Sequence, residues 1–169
     1  MLLAPLDIFD HIEEVLVDLR RRHRLFLITK GDLLDQRNKI DQSGLADYFE
    51  VLEVVSEKDP GTYKTIFDRE RVNIRNVAMV GNSIPSDVLP VLELGGYGIH
   101  IPYGVTADFE KHDRDPSSER FYRLPCASKL PSLIETLASF VKGRFRAFFL
   151  RKRSRTRDPV PSAEIHFRV

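Results

Sequence analysis

The sequence predicts an α/β fold built on a parallel sheet, and three observations carry that reading. Short continuous apolar runs, Leu25-Phe26-Leu27-Ile28 and Val77-Ala78-Met79-Val80, have the character of parallel strands covered on both faces. Between such runs the apolar residues recur at helical spacing, so strands and helices alternate along the chain. Met79-Val80-Gly81-Asn82-Ser83-Ile84-Pro85-Ser86-Asp87 reads as a buried strand emptying into a polar loop that opens a helix, which is the layout of a site.

The elements follow in order. Ile8, Ile12, Val15, Leu16 and Leu19 form one stripe of an amphipathic first helix that ends near Arg20-Arg21-Arg22, where cations suit a helix C-terminus. Asp7 or Asp10 is expected to cap its start. Residues 25–28 make the first strand, and residues 33–43 a second helix stopped by Gly44. Residues 49–55, rich in β-branched side chains, read as a strand, and Asp59-Pro60 caps and starts a helix whose buried stripe is Tyr63, Ile66 and Phe67. Residues 77–80 are the next strand. A helix carrying Ile84, Val88, Val91 and Leu92 follows and ends at Gly95-Gly96. Residues 97–101 form a strand, 108–119 a surface loop, and 121–124 a short last strand. A helix with Leu130, Leu133, Ile134, Leu137 and Val141 closes the body.

At 169 residues, with 42% hydrophobic and 30% charged residues, the chain is expected to form one soluble domain with a real core. A single cysteine, Cys126, excludes an internal disulfide or a thiolate metal site; it reads as a small packing residue and suits a reducing cytoplasm. The N-terminus lacks the basic start and long apolar stretch of a signal peptide, and no run approaches membrane-spanning length. The net charge of +1 conceals a split: residues 142–169 hold nine Lys or Arg against two acids, so residues 1–141 are net acidic. The expected organisation is a body over 1–141 and a basic extension over 142–169, flexible at its proline-containing end.

Three segments carry the chemistry. The first apolar strand ends in Thr29-Lys30-Gly31-Asp32, Ser56-Glu57-Lys58-Asp59-Pro60 places a lysine before a helix, and Gly81 to Asp87 puts Asn82 and Asp87 at a strand end. In this order they resemble the second, third and fourth motifs of the haloacid dehalogenase-like (HAD) hydrolases, over about Leu6 to Leu137. Gln36, Gly44-Leu45 and Tyr48-Phe49 also look like the helix and turn after motif two in the dehalogenase and phosphoglycolate phosphatase branch. The resemblance implies a Rossmann-like three-layer core, magnesium-dependent hydrolysis of a small phosphorylated substrate, and a role for each residue. Thr29, with Lys30 and Gly31 beside it, would bind the phosphoryl group. Lys58 would stabilise charge during transfer, and Asp87 with Asn82 would hold magnesium. Asn82 stands where the family commonly has Asp, and its amide oxygen supplies no negative charge to a cation. The bland alternatives are a strand-ending Thr29, a solvated Lys58, and an Asp87 that stabilises a helix turn.

The resemblance also identifies a missing part. HAD enzymes begin with a strand ending in Asp-x-Asp, whose first Asp attacks phosphorus, and no apolar strand ending in Asp-x-Asp occurs in this chain; Asp113-Arg114-Asp115 lies in the polar stretch 108–119, after the other motifs. Asp7-Ile8-Phe9-Asp10 has the wrong spacing. The chain is therefore expected to be the C-terminal part of a HAD protein, inactive alone, or a non-catalytic relative that binds an anion or serves as a scaffold. Twenty-eight residues between Thr29 and Lys58 leave no room for an inserted cap domain.

In the family the Asp-x-Asp strand lies between the strands ending at Thr29 and Gly81. Without it both would expose unpaired backbone. The expectation is that those strands pair directly, borrow a strand from another chain by self-association, or leave the protein poorly stable. The histidines, His11, His23, His100, His112 and His166, show no ligand spacing, and only His100, at a strand end, faces the presumed site. Residues 140–153 put Val141, Phe145, Phe148 and Phe149 on one helical face among basic residues. Such a segment can lie on a membrane or nucleic acid, but the reading adopted is an extension of the last helix into a solvated tail, with neither partner expected.

Overall fold

The computed structural model describes residues 11–102, 115–149 and 164–167, with backbone only for 141–149 and 164–167. Helix α1 (Ile12–Arg20) leads into strand β1 (Arg24–Lys30), helix α2 (Leu33–Ser43) and, after a short turn, strand β2 (Val51–Val55). Helix α3 (Pro60–Arg69), strand β3 (Val77–Gly81), a π-turn (Ile84–Val88) running into helix α4 (Leu89–Glu93), and strand β4 (Tyr97–His100) follow. Strand β5 (Phe121–Arg123), helix α5 (Leu130–Phe149) and strand β6 (Glu164–Phe167) complete the described chain.

The strands form one sheet in the order β2-β1-β6-β3-β4-β5, and every pairing is parallel. Alternate residues of β1 and β3 enter opposite cores, as the pleat requires. Leu25, Leu27, Ala78 and Val80 pack with Ile12, Val15, Leu16 and Leu19 of α1, Ile40 of α2, and Leu130, Ile134 and Leu137 of α5. Phe26, Ile28, Val77 and Met79 pack with Tyr63, Ile66 and Phe67 of α3 and Val91 of α4. Helices therefore cover both faces, giving the expected three-layer α/β sandwich. Its continuous apolar strands follow from burial on two sides.

Local chemistry sets the boundaries. Asp32 caps α2 by accepting from the amides of Leu34 and Asp35, and Gly44 ends it with φ at +69°, where a side chain would be strained. Asp59 caps α3 by accepting from Thr62, with Pro60 in the first turn. Tyr48 donates to the Glu13 carboxylate at 2.6 Å, tying the turn before β2 to α1. That bond holds the phenol pKa above its ordinary value.

Several expectations need correction. The residue at the start of α1 is His11, in the left-handed region with no side-chain cap bond, so neither proposed aspartate is its N-cap. Asp7 and Asp10 lie outside the described residues. Cys126 is exposed rather than a packing residue, because it precedes the turn into α5 and the neighbouring Ala127 takes the buried place. The surface loop is described only from 115, and β5 is not the last strand. The reading of residues 140–153 as an extension of the last helix, by contrast, agrees with α5, which is described through residue 142 to Phe149.

The largest departure is at the centre of the sheet. Strands β1 and β3 do not pair directly. Glu164–Phe167 of the same chain lies between them, with Arg24 to Leu27 opposite on one side and Val77 to Met79 on the other. This strand was illegible because Glu164-Ile165-His166-Phe167 alternates polar and apolar residues beyond a proline-containing basic stretch. A proline at 165 should test it, since a central strand uses every backbone N–H. Ile165→Pro is expected to lose about 1–3 kcal/mol in urea unfolding and to increase self-association by light scattering. Unchanged stability and a monomer would show that β6 does not hold the two halves together.

Candidate active site

All strands being parallel, their C-terminal ends share one edge, where open α/β sheets place their sites. Thr29, Lys58, Asn82 and Asp87 all lie there, after β1, β2 and β3.

Thr29 is buried at the end of β1, and its hydroxyl donates to Oε1 of Gln36 at 2.8 Å. The loop lets Gln36 fold back because residue 31 is glycine: a Cβ there would meet the Gln36 amide nitrogen at 2.9 Å, and φ is +149°. Turning the Gln36 amide over would make its NH2 the donor and let the Thr29 proton point to an anion, an exchange that both groups' chemistry permits. The expected anion-binding helix terminus is altered. Asp32 itself takes the amides of Leu34 and Asp35, and the Gly31 amide donates to the Val55 carbonyl at 3.2 Å. Lys30 turns outward and pairs with Glu57 at 2.6 Å, both half-exposed.

Lys58 and Asp87 form the electrostatic centre. Nζ lies 2.7 Å from Oδ1, with the side chains 2% and 0% exposed. The other carboxylate oxygen accepts from the Ser83 amide at 3.1 Å. Space for this carboxylate exists because residue 81 has no side chain. A Cβ there would lie 2.5 Å from both Cβ and Cγ of Asp87 and closer still to Oδ2.

The backbone carrying Asp87 is a π-turn rather than the α-helical turn expected. Pro90 explains part of this, since it has no N–H to offer the Ser86 carbonyl four residues back. Tyr63 serves that carbonyl instead, its hydroxyl donating at 3.1 Å. His100, buried at the end of β4, lies with Nε2 3.0 Å from the Asn82 carbonyl. A carbonyl can only accept, so the Nε2–H form makes this bond and holds the loop.

The structure therefore joins Lys58 to Asp87, keeps Thr29 buried on the same edge, and leaves Lys30 outside. Asn82 stands beside them through its loop. The part sequence reasoning missed is the bonding of Gln36, Ser83 and Tyr63; only the seven-residue step from Thr29 to Gln36 across a glycine turn hinted at it. Magnesium needs a near-octahedral set of oxygens. Among the described residues no group of three or more His, Cys, Asp or Glu could hold a metal. Asp87, with both oxygens engaged, and Asn82 do not make a magnesium site by themselves.

A buried carboxylate–lysine pair thus sits at the carboxyl edge of the parallel sheet, with a buried threonine near the end of β1 on the same edge. In sequence and fold the chain is similar to haloacid dehalogenase-like hydrolases. It is 36% identical to a haloacid dehalogenase-like family hydrolase from Xanthomonas campestris, with a TM-score of 0.72, over 83% of this chain and 55% of that one. The HAD phosphatase from Thermococcus onnurineus shares the fold, with 22% identity and a TM-score of 0.62 over 75% of this chain and 58% of that one. Mouse N-acylneuraminate-9-phosphatase is 26% identical over 136 residues, which are 76% of this chain and 52% of the relative. The chain thus spans about half the length of these proteins. No family model matches it.

The ion pair makes a stability prediction. Removing one partner strands a buried charge, so Lys58→Met or Asp87→Leu alone should cost about 3–5 kcal/mol, and the double variant less than either. Gly81→Ala, which drives a methyl into Asp87, should cost about 1–3 kcal/mol. Urea denaturation of the four variants checks both expectations; a double variant as unstable as the sum of the singles would contradict the pairing.

Proposed function

We propose that this chain carries the phosphate-binding and charge-stabilising side of a magnesium-dependent phosphomonoester hydrolase, without the nucleophile. The observation that supports the reading best is the buried Lys58–Asp87 pair, 2.7 Å apart, on the same sheet edge as Thr29. Lys58 would stabilise the charge that develops on the transferring phosphoryl group, and the Thr29 hydroxyl, exchanged from Gln36, would contact one of its oxygens. A carboxylate ending a strand between β1 and β3 would attack phosphorus and displace the alcohol. Water would then hydrolyse the acyl phosphate. Magnesium dependence would require that same strand's carboxylates beside Asp87 and Asn82. The mouse relative is named for a phosphate ester of a sugar acid, which supports a small phosphorylated substrate. We place the protein in the cytoplasm on its lone cysteine. Among the described residues no helix is long and apolar enough to cross a membrane.

A second reading, a non-catalytic HAD-like binding or scaffold protein, is favoured by β6, which fills the central place with a strand that holds no aspartate. One comparison separates the two. With magnesium and an aryl phosphate, the 169-residue chain is expected to turn over no faster than Lys58→Ala. A version extended upstream by an apolar strand ending in Asp-x-Asp should turn over, and lose at least about 100-fold on Lys58→Ala or Asp87→Ala. Turnover by the unextended chain that both substitutions abolish would overturn the missing-nucleophile reading. An inert extended version would favour the scaffold.

A further inference from the structure

Two lysines stand in the loops that follow β1 and β2, and the fold treats them oppositely. Lys58 is sealed against Asp87, with both side chains buried. Lys30 keeps its side chain 47% exposed and holds Glu57, itself 66% exposed, at 2.6 Å. The phosphate contact assigned above uses Thr29 and Lys58, so the ammonium of Lys30 has no part in it.

Its place on the edge is nevertheless well defined. Lys30 stands opposite Val55 on the last rung of the β1–β2 ladder, and the Gly31 amide closes that rung on the Val55 carbonyl at 3.2 Å. Successive strand residues point to opposite faces. Phe26 and Ile28 enter the core under α3 and α4, and Lys30 continues their row. It therefore stands on the side of the sheet from which the loops before α3 and α4 bring Lys58 and Asp87, while Thr29 belongs to the other row. An anion that touches both Thr29 and Lys58 straddles the edge with Lys30 beside it.

The carboxylates of these two loops differ in the same way. Asp32 is committed to the amides of Leu34 and Asp35, and Asp59 to that of Thr62. Glu57 has Lys30 as its one bonded partner among the described residues. An exposed pair of this kind contributes little and is open to competition from other ions, and its opening breaks no other bond. Lys30 is thus a cation on the rim of the site, held by a carboxylate that can leave for water.

We propose that Lys30 is a specificity residue that takes a carboxylate of the substrate in exchange for Glu57. The substrate class is then a phosphomonoester whose alcohol carries a carboxylate a few bonds from the ester oxygen; this rests on the phosphate site proposed above. Lys30 keeps a partner of the same chemistry throughout, and the long flexible lysine stem lets the ammonium follow it. A neutral alcohol would leave the Lys30–Glu57 pair closed and gain nothing from it.

The test uses the full chain and three phosphonates that hydrolysis cannot consume. Methylphosphonate has no second charge, while phosphonoacetate and 3-phosphonopropanoate carry a carboxylate at two distances from phosphorus. Dissociation constants are taken by NMR titration at fixed ionic strength, following the amides of Lys30 and Gly31. At least one carboxylate ligand is expected to bind about fivefold or more tightly than methylphosphonate. Lys30→Met should bring that ratio to within about twofold of equality. Glu57→Gln, which removes the competitor, should raise it. A pair that only latches the two loops would move the ratio in the same direction in both variants or in neither. Either result, or equal affinity of the unmodified chain for all three ligands, would overturn the proposal. Thr29→Val separates this failure from that of the phosphate site. Methylphosphonate binding that weakens in Thr29→Val, with no carboxylate preference, removes the role of Lys30 alone. Absence of binding, or binding indifferent to Thr29→Val, removes the phosphate site and the role of Lys30 with it.

Discussion

Everything in this fold depends on a neighbour for two strands that cannot be left alone. β1 and β3 send Leu25, Leu27, Ala78 and Val80 into one core and Phe26, Ile28, Val77 and Met79 into the other. A gap between them would open both cores at once and strand the backbone groups of both flanks. Burial of apolar side chains is worth roughly 1.5–3 kcal/mol each, so keeping both cores closed outweighs the entropy of ordering a four-residue strand, about 1–2 kcal/mol per residue. That imbalance explains why the chain's own C-terminal residues take the central position.

The site obeys a different constraint. A buried lysine and a buried aspartate are each costly alone, and they are held at 2.7 Å by packing that has left room for them. The glycine at 81 makes the room. The Ser83 amide satisfies the second carboxylate oxygen, and Pro90 with Tyr63 shapes the turn that presents it. The pair therefore works as a preorganised polar centre that would persist without any ligand. Thr29 is adaptable by comparison, because its partner is a side-chain amide that can turn over.

Much of this was legible because residue chemistry and local structure agree. Asp32, Gly44 and Asp59-Pro60 mark helix ends by their own bonding, and Leu33–Ser43 has the bounds its cap and stop signals give. Tyr63, Ile66 and Phe67 share a buried stripe as their spacing requires. The order Thr29, Lys58, Asp87 anticipated residues that the fold brings to one sheet edge, without showing how they are wired. Side-chain bonds such as Thr29 to Gln36 depend on a loop geometry that no periodicity encodes. β6 was hidden for a stronger reason: a four-residue segment with alternating polarity has no strand signal of its own, and only the tertiary vacancy selects it.

The two constraints meet at one place. The strand that completes the sheet runs beside β1, the strand that carries Thr29 to the polar edge. Among the described residues Glu164–Phe167 close the sheet there, with Phe167 paired opposite Leu27. Lys58 is then neutralised by Asp87 rather than by a nucleophile or a phosphate. The central strand thus sets the stability of both cores, while the Lys58–Asp87 pair, with the Gly81 space, the Ser83 amide and the Tyr63 hydroxyl around it, sets the electrostatics of the edge those cores support.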